Sequence, residues 1–513
     1  MDFILAITPI ALILFLMVGL RWGAARAGGA GYLTALLIAS LYFGVGPVLL
    51  AYAHAKALLL SLDVLLIIWA AFLLYRVADE AGAIRTIGQA LPHLTNYKGM
   101  QAVIIGWVFA TFLQGVGGFG VPVAVIAPIL VGLGFAPLAA VVIPSIGHGW
   151  AVTFGSLGSS FQALIAATGL PGEVLVSASA LFLGIAGLVV GWMVVHAAQG
   201  WQAVARLFWV VLVIGLVMST TQYLVAVSGL WNIGAFVAGI AGLLVSVPLA
   251  RRYRGDQADN GDLDIKKLVV ALSGYLMMML VILTVQLVPA VNSFLSQVVI
   301  QVDFPQVSTS LGYITPAGAG RKIYFFRHTG VVLAYASILA YLIYRAAGYY
   351  KPGAIARILN GTLRRVLSSS VSIFSMVTMA VIMEHAGMTD VLAQGLADGM
   401  GALFPFAAPW IGALGAFMTG SNTNSNVVFG ALQMRTAQLL GYGVAIILAG
   451  QTAGAALASV LAPTKVVVGA STAGMAGNEG EVMRKLLIYT GLLLVLISLL
   501  TLVGVWLTSM ERI

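Results

Sequence analysis

The sequence predicts an all-α polytopic membrane protein of about 12–14 spanning helices, built as two inverted repeats that each contain a re-entrant or broken-helix hairpin. Three observations carry that expectation. Of 513 residues, 61% are hydrophobic and only 8% charged, against roughly 25% charged in an ordinary soluble domain. The apolar residues form continuous runs long enough to cross a bilayer, without the alternation of membrane β-strands. Two further apolar regions, 101–173 and 409–483, are interrupted by glycine-rich and polar stretches in corresponding places.

Runs near 3–20, 31–51, 57–75, 174–195, 207–228, 232–249, 268–289, 330–344, 366–383 and 486–508 read as ordinary spans. The first has no basic residue before it and is followed by Arg21 and Arg26, the reverse of a secretory signal, so it is read as a retained span with the N-terminus outside the cytoplasm. The net charge of +9 comes from basic residues in short loops, the positive-inside pattern of a membrane protein and not a nucleic-acid surface. The longest polar connection, 250–267, carries Arg251, Arg252, Arg254, Lys266 and Lys267 and is placed in the cytoplasm. It divides the chain into halves 1–255 and 256–513 of a multi-pass protein of the cytoplasmic membrane.

Broken helices are expected at about 112–122 and 147–160 in the first half and at about 417–427 and 451–465 in the second. The first region reads WVFATFLQGVGGFGVPVAVIAP and then GHGWAVTFGSLGSS; the second reads GALGAFMTGSNTNSNVVFGALQ and then QTAGAALASVLAPTK. In hydrocarbon an unpaired backbone group costs several kcal/mol, so irregular backbone at depth survives only inside protein or beside a water-filled cavity. Glycines at 115, 117, 118 and 120 permit a sharp turn, Pro122 suits a helix start, and Ser421 to Asn426 offer hydroxyl and amide groups. Two helix N-termini meeting in one midplane cavity would hold a small organic anion with little formal charge.

Candidate substrate contacts are therefore Gln114, Gly115, Gly117, Gly118, Phe119, Gly120, Ser421, Asn422, Thr423 and Asn426, with Lys465 and His148 as cations beside the second breaks. Close helix packing is the alternative reading of the glycines, but it leaves six successive polar residues unexplained. The G-x-G-x-x-G match at Gly115, Gly117 and Gly120 lacks any βαβ context and is not a nucleotide loop.

Asp63 lies inside LLLSLDVLLIIWA and is a candidate for ion coupling, or a carboxylate held by a neighbouring polar group. Glu384 and His148 are the other protonatable candidates, while the oxygens of Gln114, Ser421, Asn422 and Thr423 suit Na⁺. His54, His93, His196 and His328 stand at span ends and read as solvated. Arg321, Lys322 and Arg327 read as an interfacial cluster, and Arg435 as a side chain reaching a head group. With no cysteine, no H-E-x-x-H and no P-loop, no cofactor and no enzymatic activity are expected. Two unlike glycine-rich and asparagine-rich motifs also argue against a symmetric channel filter. Oligomeric state is not readable.

FLQGVGGFGVPVAV followed by LVGLGF, FMTGSNTNSNVVFGALQ, and APTKVVVGASTAGMAGNEGEV, in that order from about residue 60 to the end, resemble the L-lactate permease family. The resemblance implies a secondary transporter of lactate, in some members glycolate, usually coupled to protons, with hairpins like those of the ion-transporter superfamily. It also implies Glu where this chain has Gln114, often Asp where it has Asn422, and small or amide side chains where it has Lys465 and His148. An amide cannot take up a proton, so this chain has no proton carrier at those two positions. Symport with H⁺ or with Na⁺ both stay open.

Overall fold

The computed structural model describes residues 1–20, 22–118, 120–253, 265–318, 320 and 322–510. Among these the chain is mostly helical; besides turns and loops there are two short antiparallel pairings, Val299–Ile300 with Ile323–Tyr324 and Val307–Ser308 with Ile314–Thr315, and a single bridge between Phe304 and Gly318. Ten helical stretches are long and apolar enough to cross a membrane. That count falls below twelve because Gly172–Arg251 runs end to end over 80 residues and because Asp2–Val18, Val121–Gly132 and Pro137–Gly149 are each too short to qualify alone. The 80-residue path is bent at Gly200 (φ 75°, ψ −169°) and again at Gly229 (φ 86°). Much of the outside is apolar, as at Trp209 and Leu244, the surface that lipid and not water requires.

One expected span is divided. The run at 31–51 straddles a turn, because Ala24–Tyr42 stops at Phe43, Gly44 takes φ 67°, and Pro47 opens the next helix. Apolarity persists through the turn, so hydropathy alone reads one span where glycine and proline make two.

Pro47–Glu80 and Ala354–His385 contain 34 and 32 residues, about 50 Å of helix. They exceed a hydrocarbon core of about 30 Å and must tilt or stand beyond it. The two pack against each other. Each is followed by a left-handed glycine, Gly82 at φ 73° or Gly387 at φ 79°, that redirects the chain into a shorter helix, Ala83–Ala90 or Met388–Met400.

The same order of elements then recurs. A hairpin comes first, Lys98–Val116 with Val121–Gly132 or Phe404–Thr419 with Asn422–Leu439. A broken span follows, Pro137–Gly149 with Ser159–Thr168 or Val444–Ala458 with Pro463–Thr472, and a long helix from Gly172 or Glu479 completes each series. The contacts are reciprocal. The return arm of each hairpin packs on the second piece of the other broken span, 422–439 on 159–168 and 121–132 on 463–472.

Glycine sets how closely these helices cross. A Cβ at Gly147 would lie 1.9 Å from the carbonyl oxygen of Gly106, and one at Gly106 would lie 2.1 Å from Cγ2 of Ile143. Gly147→Ala therefore overpacks a buried backbone contact, at a cost of about 1–3 kcal/mol. A lower unfolding temperature in detergent than that of the parent protein is the expected result.

Candidate functional site

Each hairpin reverses through glycine. At the first tip Gly118 and Gly120 have φ of 37° and 85°, and the Val121 N–H donates to the Gly118 carbonyl at 2.9 Å, closing the turn before Pro122. Phe119 lies outside the described residues. At the second tip Gly420 (φ 70°) ends one helix and Ser421 begins the next, its Oγ accepting from the Asn424 N–H at 3.3 Å as a side-chain cap.

The broken spans open in two ways. In the first, Ser156, Leu157 and Gly158 take φ of 47°, 55° and 76° in succession. Two residues other than glycine in this region cost of order 1–3 kcal/mol each, so the surrounding packing must hold them there. In the second, Ser459–Leu461 is a single 3₁₀ turn, Ala462 is extended (φ −55°, ψ 130°), and Pro463 restarts the helix.

These four interruptions meet. A Cβ on Gly118 would fall 1.8 Å from the Ser156 Oγ and 3.1 Å from the Gln114 Nε2, so the first tip rests on the first break. A Cβ on Gly120 would lie 3.8 Å from the Cγ of Lys465, whose ammonium donates to the Ser459 Oγ at 3.2 Å, so the same tip also faces the second break. From the second tip, Asn422 Nδ2 donates to Thr153 Oγ1 at 3.0 Å, and the Thr423 and Ser160 hydroxyls are 3.1 Å apart. Asn426 Nδ2 donates both to the Ser160 carbonyl at 2.9 Å and to Thr452 Oγ1 at 3.0 Å. Thr153 and Thr452, one from each broken span, have their hydroxyls 3.2 Å apart. The helices that begin at Val121, Ser159, Asn422 and Pro463 thus start around one centre, where their N-terminal dipoles favour an anion.

Several buried polar atoms in this cluster have no protein partner: Gln114 Oε1, His148 Nε2, Ser159 Oγ, Asn422 Oδ1 and Asn426 Oδ1. Burying such groups without partners is costly, which makes the cluster a candidate binding site. The Asn426 amide is fixed in sense, because the Ser160 carbonyl accepts only; its Oδ1 is therefore the free atom. His148 Nδ1 donates to the Pro144 carbonyl at 2.6 Å, which leaves Nε2 as the free ring nitrogen. Lys465 is half-buried.

Two other expected contacts have a packing role. A Cβ on Gly115 would lie 2.5 Å from the Cα of Phe236, and one on Gly117 would lie 3.0 Å from the Tyr75 ring, so both admit neighbouring helices.

Asp63 and Glu384 lie away from the four turns. Asp63 is buried, bonded by Gln162 Nε2 at 2.8 Å and His328 Nε2 at 2.9 Å. Glu384 is partly exposed, 3.5 Å from the Lys56 ammonium, which also lies 3.2 Å from His385 Nε2.

Of the histidines expected to be solvated, His328 is instead buried, while His54 and His196 stay partly exposed. His328 is buried against Asp63, His54 Nε2 bonds the Tyr32 hydroxyl at 2.8 Å, and His196 Nδ1 bonds the Tyr489 hydroxyl at 2.9 Å. These partners come from other helices, which sequence position does not reveal. Arg435 likewise bonds Asp390 at 2.6 Å in place of a head group. The side chain of His93 and all of Arg321 lie outside the described residues.

The sequence reading located the stretches but not several of the contacts. Thr153, Ser156 and Ser160 lie in the first flagged break and Thr452 in the second, yet none differs by residue type from the many helical Ser and Thr elsewhere.

The L-lactate permease family model matches residues 2–508. The L-lactate permease of Streptococcus iniae is 30% identical over 448 residues, covering 85% of this chain and 91% of that relative. The glycolate permease GlcA of Escherichia coli K12 is 26% identical over 518 residues, covering 94% and 91%. In fold the chain is similar to the YdaH transporter of Alcanivorax borkumensis, with a TM-score of 0.51 at 14% identity over 90% of this chain and 88% of that one.

Proposed function

The chain belongs to the L-lactate permease family, and from that premise we propose that it moves a small monocarboxylate, L-lactate or a related 2-hydroxy acid such as glycolate, across the cytoplasmic membrane by alternating access. It is a multi-pass membrane transporter, similar to proteins named as L-lactate permease and glycolate permease. One observation supports the finer reading most, the meeting of two hairpin tips and two helix breaks at a buried polar cluster.

On this reading the backbone around Gly118 and Gly120 and the helix starts at Val121 and Asn422 receive the carboxylate, and Lys465 supplies positive charge. The free Asn422 Oδ1 and Asn426 Oδ1, one helical turn apart, accept from the 2-hydroxyl or from water. The same amide oxygens would also suit Na⁺, while Asp63, His148 and Glu384 are the groups for H⁺. The halves 1–255 and 256–513 are taken as inverted repeats whose rocking exposes the site to each side in turn. The basic excess of 250–267 supports a cytoplasmic placement for that loop and an external N-terminus; residues 254–264 of it lie outside the described set.

Radiolabelled L-lactate uptake into proteoliposomes, with pH and Na⁺ gradients imposed separately, tests this reading. Saturable uptake inhibited by unlabelled glycolate and accelerated by one of the two gradients is expected. Uptake no faster than in protein-free liposomes, for lactate and glycolate alike, would overturn it.

A further inference from the structure

We propose that the cavity between the two long helices and the second hairpin is the route by which substrate reaches the site, and that Lys56 binds the carboxylate there before it moves inward; this rests on the permease reading above. The cavity measures about 580 Å³, within the range of ligand pockets and ample for a small monocarboxylate. Its walls come from Pro47–Glu80, Ala354–His385, the return arm Asn422–Leu439, the end of Ser159–Thr168 and residues of the 304–323 stretch.

The cavity ends beside the substrate cluster. Val427, next in sequence to Asn426, lines it, and so does Ile165, which stands about 7–8 Å of helix beyond Ser160. The two helices that carry these residues pack on each other, with Ser160 against Thr423 and Asn426 at the inner end of the contact. An anion in the cavity therefore has only about one and a half helical turns to travel before it meets the helix start at Asn422.

Among the described residues that line the cavity, Lys56 is the single lysine or arginine. Its ammonium lies 3.5 Å from Glu384 Oε1 and 3.2 Å from His385 Nε2, both on the facing helix. An ammonium can only donate, so Nε2 accepts, the His385 ring is neutral, and its proton sits on Nδ1, a buried atom with no partner. Two of the three ammonium protons are thus engaged. The third is left for a carboxylate in the cavity, which can bind without breaking either contact.

Glu384 and Glu173 also line the cavity. The side chains of Lys56 and Glu384 are 28% and 43% exposed, so water screens their attraction and the pair is weak. The ammonium can shift toward an incoming anion while it keeps His385. Two carboxylates beside one ammonium suit a ligand with a single negative charge and oppose one with two. Glu384 competes with substrate for Lys56, so the two residues act on capture in opposite directions.

The test is exchange of L-lactate by the intact protein in proteoliposomes at equal pH on both sides, which needs no ion gradient. Lys56→Gln is expected to raise KM about tenfold, the low end of what charge in a cleft adds to capture, and to keep the maximal rate. Glu384→Gln is expected to lower KM. The chain contains no cysteine, so Lys56→Cys places a single thiol in the cavity. Aminoethyl methanethiosulfonate, which rebuilds an ammonium on that thiol, should restore the parent KM, whereas the sulfonatoethyl reagent should not. An unchanged KM in Lys56→Gln overturns the proposal, as do KM shifts of the same sign in Lys56→Gln and Glu384→Gln. Loss of the maximal rate in Lys56→Gln and in both labelled forms of Lys56→Cys also overturns it, since the lysine would then be structural. Absence of saturable exchange in the parent protein overturns the permease reading instead.

Discussion

Gly118→Ala is expected to reduce lactate uptake by about 100-fold, the cost of displacing a reacting or binding group by about 1 Å, while the protein still inserts in the membrane. Two physical costs fall on the same atom. The backbone at Gly118 is left-handed, φ 37°, a region that costs an L-residue roughly 1–2 kcal/mol. The added methyl would also lie 1.8 Å from the Ser156 Oγ, far inside contact distance, so the tip or the break must move. Ser156 itself has φ 47°, so glycine there removes both the obstructing hydroxyl and a strained conformation. Gly118→Ala combined with Ser156→Gly should therefore recover part of the lost uptake, whereas two unrelated lesions would compound. Surface amount, measured by labelling, separates transport from insertion. Full uptake by the single variant would show that the tip does not rest on the break.

The second large effect is expected at Asn426. Its Nδ2 ties the return arm of the second hairpin to both broken spans at once, through the Ser160 carbonyl and Thr452 Oγ1. Asn426→Ala removes the donors and leaves those acceptors buried, a loss of about 1–3 kcal/mol, and a roughly tenfold fall in uptake corresponds to about 1.4 kcal/mol. Asn426→Asp is expected to be worse at nearly identical volume, because a carboxylate oxygen would face the Ser160 carbonyl, acceptor against acceptor, with an uncompensated buried charge. Uptake at background in the aspartate variant and measurable uptake in the alanine variant is the predicted order. The reverse order would mean that this position serves charge and not the bridge.

Much of this organisation was legible along the chain. The long apolar helices follow from hydropathy, and the tips from Gly115 to Gly120 and from Ser421 to Asn426 stand out because polarity and glycine inside an apolar run conflict with a helix exposed to lipid. Lys465 stands out for the same reason, as a lone cation just after Pro463. Less legible were residues whose type is ordinary in a membrane helix. Thr153, Ser160 and Thr452 look like any hydroxyl that bonds its own backbone four residues earlier, and only the crossing of the helices turns them toward one another.

Asp63 and His328 mark the limit most clearly. Local sequence identifies a carboxylate in one span and a histidine just before another, 265 residues apart, and reads the first as uncertain and the second as solvated. Burial is a property of what packs from elsewhere: Gln162 and His328 come to Asp63 from other helices, and Gly330 approaches the Leu66 backbone closely. By itself the sequence determined class, span and the places where helices break, because the bilayer imposes length and backbone pairing on each segment independently. The tertiary structure decided which breaks meet, which amides are left with a free oxygen and which acid has a partner, because those depend on distances between segments that no local pattern encodes.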